Sequence, residues 1–157
     1  MYDDSLSTKT LYAAEDNVAK AIKRGGTADF FGSSLDLRQC AIRTYTPDQL
    51  PIMTGVVAGL YAAFGRGVRQ QPPTLRLSKR AYARAWYSPA QHEIVLPARE
   101  WAFTDIVLCH EVAHACTGCG HDQRSAHGHP WRKTYCAIVA AVVGPEAGLL
   151  MRAALDL

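Results

Sequence analysis

The sequence predicts an α+β fold, and three observations carry that expectation. A long amphipathic run lies near the start, short alternating segments fill the middle, and two apolar helical runs follow towards the end. No repeat, low-complexity tract or long linker interrupts the chain, so residues 1–157 are expected to form one domain.

The first element is a helix over residues 7–24, STKTLYAAEDNVAKAIKR, which sets Leu11, Ala14, Val18, Ala21 and Ile22 on one face. Gly25 and Gly26 stop it. The stretch TADFFGSSLDL then reads as a turn-rich connection, and Cys40 to Tyr45 as a short strand. A second helix is expected from Pro47 to Phe64, with proline near its start and Gly65 at its end. Thr74 to Leu77 alternates after Pro72–Pro73 and reads as a strand. AYARAWYS and HEIVLP, joined by Pro89-Ala-Gln, read as an antiparallel hairpin. A third helix is expected from about Phe103 to Thr117, entered through Thr104 and Asp105 and closed by Gly118. Pro130 opens a fourth helix through Val143, Gly144–Pro145 breaks it, and a short last helix follows. The sheet is expected to be small, antiparallel or mixed.

Composition narrows the function. Hydrophobic content of 48% and charged content of 20% are ordinary for a globular protein with a real core. The longest apolar runs fall short of the ~18 residues that a membrane helix needs. The amino-terminal MYDDSLSTKT is acidic and polar, unlike a secretory signal, so a cytoplasmic location is expected. Five cysteines, an odd count, favour free thiols or metal ligands over a disulfide framework. Between Asp48 and Glu93 no acidic residue occurs, while Arg66, Arg69, Arg76, Lys79, Arg80 and Arg84 do. That segment is either a solvated face or a patch for phosphates, so nucleic acid stays an open partner.

Residues 108–131, LCHEVAHACTGCGHDQRSAHGHPW, hold five of the six histidines. In HEVAH, His110 and His114 stand four apart, so on a helix both imidazoles leave the same face one turn apart. Two neutral nitrogens so placed reach one zinc ion at about 2.0–2.1 Å. Glu111, off the ligand side, reaches a metal-bound water as general base for attack on a carbonyl. A third protein ligand is needed, and His121, His127 and His129 compete for that place. His121 echoes the pattern HExxHxxGxxH, with glycine and histidine each one residue late. Cys116 and Cys119 leave three readings open: part of a second, structural zinc site, a reversible disulfide, or inert thiols. Asp105 or Asp122 is a candidate acceptor for a ligand imidazole. Tyr135 and Arg132 are weaker candidates for stabilising a tetrahedral intermediate. His92 reads as an exposed strand residue with no part in the site.

HEVAH followed by His127-Gly128-His129-Pro130-Trp131 and Arg132-Lys133 resembles the SprT-like zinc metallopeptidases. The resemblance spans roughly residues 82–140, and AWYSPAQHEIVLP is similar to that family's edge-strand region. The whole chain looks most like small metallohydrolases of actinobacteria and their phages. The resemblance implies a zincin-like domain, one catalytic zinc held by His110, His114 and His127, and Glu111 as the catalytic residue. It implies a peptide or protein substrate lying along the sheet edge. Some such enzymes act on DNA-bound proteins. A non-catalytic zinc module, with its fourth position closed by Cys119 or His121, is the competing expectation.

Overall fold

The computed structural model describes residues 6–80, 84–121, 123 and 125–157. Among these described residues the architecture is α+β: five α-helices with a two-stranded and a three-stranded sheet. Helix α1 (Thr8–Arg24) starts at Ser7, whose Oγ accepts from the Thr10 amide, and ends at Gly25. Its buried stripe is Leu11, Ala14, Val18 and Ile22. That stripe packs mainly on the last helix, α5 (Pro145–Ala154).

Residues 27–36 depart from the expected turn-rich connection. They form a hairpin, β1 (Thr27–Phe30) and β2 (Ser33–Asp36), paired Phe30 to Ser33. The two-residue loop holds Phe31 at φ 47° and Gly32 at φ 79°, the left-handed pair of a type I′ turn. The Cys40–Tyr45 segment is not a strand. It contributes one bridge, Thr44 to Thr104. Helix α2 (Leu50–Phe64) follows a short 3-10 turn at Pro47–Gln49.

Strands β3 (Thr74–Leu77), β4 (Trp86–Ser88) and β5 (Glu93–Leu96) form a mixed sheet in the order β3-β5-β4. β4 and β5 are the expected antiparallel hairpin, β3 runs parallel to β5, and β4 is left at one edge. The first residues of AYARAWYS, 81–83, lie outside the described residues. His92 is buried, contrary to the exposed strand position expected. It sits in the β4–β5 turn at φ 50°, its Nδ1 2.8 Å from Tyr87 Oη and its Nε2 2.7 Å from the Gln71 carbonyl.

Helix α3 (Asp105–Thr117) runs through the core with eleven of its residues buried, so almost none of it faces solvent. Thr104 caps its start and Gly118 its end. Asp105, fully buried, accepts from the Arg43 amide at 2.8 Å and from Tyr45 Oη at 2.6 Å. Its carboxylate therefore anchors the start of α3 to the 43–45 segment. It does not orient a ligand imidazole, and the other candidate, Asp122, lies outside the described residues. Helix α4 (His129–Val142) packs on both α3 and α5.

Candidate metal centre

His110 and His114 leave α3 one turn apart, and His127 arrives from the loop before α4. Their Nε2 atoms converge: His114 Nε2 lies 3.3 Å from His110 Nε2 and 3.1 Å from His127 Nε2. Metal–nitrogen bonds of about 2.0–2.1 Å at tetrahedral angles place nitrogens about 3.3 Å apart. The His114–His110 and His114–His127 separations thus match the spacing of two ligands on a tetrahedral ion.

The outer nitrogens fix which atoms face inward. His110 Nδ1 is 2.7 Å from Glu15 Oε1, on α1, and His114 Nδ1 is 2.7 Å from the Cys119 carbonyl. Carboxylate and carbonyl oxygens only accept, so both Nδ1 atoms carry the proton. In the neutral rings both Nε2 lone pairs then point into the same small space. Lone pairs facing each other at 3.3 Å repel unless a metal ion or a proton lies between them.

Titration separates His110 from the other two. Burial, and then the neighbouring histidines, hold His114 well below the ordinary histidine range. Burial, with His110 and His121, pushes His127 down to about 3. Burial opposes a charge on His110 too, but the Glu15 carboxylate, with Glu111 beside it, outweighs burial and raises its pKa. His114 and His127 are therefore neutral, metal-competent imidazoles at neutral pH.

His121 joins the cluster, which the late spacing of Gly118 and His121 argued against. Gly118 ends α3 in the left-handed conformation at φ 71°, with its amide bonded to the His114 carbonyl. Gly120 then passes so close to the β4–β5 turn that a Cβ would lie 2.9 Å from Pro89 Cδ. These two glycines fold the loop back over α3. The ligand atoms of His110, His114, His121 and His127 all lie within 4.8 Å of one another, so this buried four-histidine cluster can hold a metal ion. His121 Nε2 is also 2.9 Å from Glu111 Oε2 and 3.2 Å from Oε1. While it donates to that carboxylate, His121 cannot ligate through Nε2.

Glu15 and Glu111 add two carboxylates with 12% and 3% side-chain exposure. Buried carboxylate charge is costly without a cation, so the charge balance and the spacing favour the same occupant.

The remaining candidates separate. His129 begins α4, is exposed and lies outside the cluster. Trp131, fully buried, backs the site as a wall, its ring centroid 4.8 Å from His110, 5.1 Å from His114 and 4.7 Å from His127. Gly128 has an ordinary φ of −70°. Tyr135 stacks on Trp131 and is fully buried. Burial, and Glu15 beside it, raise its pKa. Arg132 is buried and donates through Nη1 to the Leu155 carbonyl at 2.7 Å, clamping the end of α5. Neither has the exposure of a group that meets substrate. Cys116 and Cys119 are free thiols, and among the described residues the cysteines join no metal-binding group. Burial pushes the Cys116 thiol up to about 12. Two arginines of the basic segment are engaged internally, Arg69 with the Pro89 carbonyl and Arg76 with Glu93.

Glu15 is the residue that sequence reasoning missed. Its only local signal is its place on α1 one turn past Leu11, at the edge of the buried stripe.

No helix among the described residues is long and apolar enough to cross a membrane. No family model, curated protein or solved structure matches this chain.

Proposed function

We propose that the protein is a zinc-dependent hydrolase that cleaves peptide bonds, with His110, His114 and His127 as ligands and Glu111 as general base. The convergence of three Nε2 atoms at 3.1 and 3.3 Å, beside a buried glutamate on the same helix, carries the reading. An all-imidazole donor set at tetrahedral spacing suits zinc. The HEVAH and HGHPW motifs, which resemble SprT-like metallopeptidases, support a zincin-like arrangement.

Zinc, when bound, supplies the Lewis acidity that polarises a carbonyl and brings the pKa of a water to about 7. The chain supplies the rest. Glu111 takes a proton from the attacking water at its carboxylate and returns it to the departing amine. His121 Nε2–H holds that carboxylate in place. β4, left at the sheet edge, offers backbone groups to an extended peptide. A cleft of about 250 Å³ between Trp86–Ala90 and His121 lies along it.

Glu111→Gln tests the reading. Zinc content should stay at the wild-type level, while cleavage of a denatured protein substrate falls at least about a hundredfold. Hydrolysis by the variant at the wild-type rate would remove Glu111 from the mechanism.

One observation favours a second reading, a structural zinc site: His121 is the fourth imidazole. Structural zinc sites are saturated, whereas catalytic ones keep an open position. Under that reading His121→Ala weakens zinc binding as much as His127→Ala does, and the wild type cleaves nothing. Under the hydrolase reading His121→Ala retains zinc and loses rate.

A further inference from the structure

We propose that the cleft beside His110 and Glu111 is a specificity pocket for one large apolar side chain of the substrate, an aromatic one above all. The inference rests on the hydrolase reading and adds the substrate class to it.

Four parts of the chain build the pocket. α1 supplies Tyr12 and Glu15, the 3-10 turn at Glu100–Ala102 supplies Trp101, and α3 supplies Val107, His110 and Glu111. Arg84 and Ala85 close it from the segment before β4. Tyr12 is 41% exposed and Trp101 48%, although most large apolar side chains here are buried. Both line this one cleft, and its floor carries the proposed base. Exposed aromatic surface gathered around a concavity next to reactive groups marks a ligand site.

Size and charge select the occupant. The cavity measures about 280 Å³, just below the range for small-molecule sites, which suits a single side chain. An anionic side chain would be repelled by Glu15 and Glu111, and both carboxylates are already hydrogen-bonded, to His110 and His121, rather than open to a cationic one. An apolar ring meets Tyr12, Trp101, Val107 and Ala85, and the two aromatic walls offer it edge or offset stacking. Because Glu111 handles the proton at the scissile bond, the residue that fills the pocket adjoins that bond.

The test uses the full chain loaded with zinc and a library of synthetic peptides randomised in sequence, with products identified by mass spectrometry. The expected result is enrichment of Phe, Tyr, Trp, Leu and Met at one position flanking the cut. The ratio of kcat/KM for a Phe peptide over its Ala counterpart should be about tenfold or more. Trp101→Ala and Tyr12→Ala should each collapse that ratio, with thermal melts and zinc content confirming folded variants. Cleavage without such enrichment, or enrichment unchanged in both variants, overturns the pocket and leaves the hydrolase reading standing.

If nothing is cleaved, the hydrolase reading fails and binding decides the pocket. The indole N–H resonance of Trp101, assigned with Trp101→Phe, should shift on adding N-acetylphenylalaninamide and not on adding N-acetylalaninamide. The absence of that difference overturns the pocket.

Discussion

Glu15 shows how one residue sets the chemistry of another. By accepting from His110 Nδ1 at 2.7 Å it fixes the tautomer whose Nε2 lone pair faces His114 and His127. Partners of this kind commonly change metal affinity 10–100-fold when removed. Glu15→Ala should therefore weaken zinc binding by about that factor, read by competition with a chromophoric chelator. Glu15→Gln keeps an acceptor oxygen but no charge, and should fall between Glu15→Ala and the wild type. Unchanged affinity in Glu15→Ala would show that the contact does not tune the site. Sequence spacing exposes His110, Glu111 and His114, because all three sit on one helix. It cannot expose Glu15, which lies 95 residues away and meets His110 only through tertiary packing. His127 was legible through its HGxxW setting, and the structure brings it into the cluster. His121 was discounted because its spacing runs one residue late, yet spacing alone does not describe a loop that two glycines redirect.

Among the elements, α3 and the turn that ends it govern the centre. Gly118 holds a left-handed conformation that costs an L-residue about 1–2 kcal/mol. A Cβ there would also meet Val68 Cγ1 at 3.0 Å. Gly118→Ala should lower unfolding free energy by roughly 1–2 kcal/mol in urea titrations. It should also weaken metal binding, because the next carbonyl, that of Cys119, holds His114 Nδ1. Full stability in the variant would contradict the argument. The helices were legible because their caps and apolar stripes are local signals: Ser7, Thr104 and Gly118 all stand where the chain turns. The β1–β2 hairpin was not, because its turn is Phe31–Gly32 where a type I′ turn ordinarily carries Asn-Gly or Asp-Gly. The parallel pairing of β3 with β5 was equally hidden, since pairing between strands separated in sequence leaves no local pattern.

Among the described residues nearly all the buried apolar side chains form one cluster, and the histidines of the centre pack against it through Trp131. α1 reaches the centre through Tyr12 and Glu15, α3 through His110, Glu111 and His114, and the loop before α4 through His121 and His127. α4 closes the back with Trp131. The α+β class was legible from the order of helical and alternating segments. The convergence of α1 on the centre was not, because it depends on how α1 packs against α5. A buried cluster of imidazoles and two carboxylates makes sense as a folded arrangement when a cation completes it. The most direct test is elemental analysis of metal per chain, on the wild type and on His127→Ala, each purified without added chelator. The account predicts about one zinc per wild-type chain, as four-coordinate sites hold, and clear depletion in the variant. No metal in the wild type after zinc supplementation, or full occupancy in His127→Ala, would contradict it.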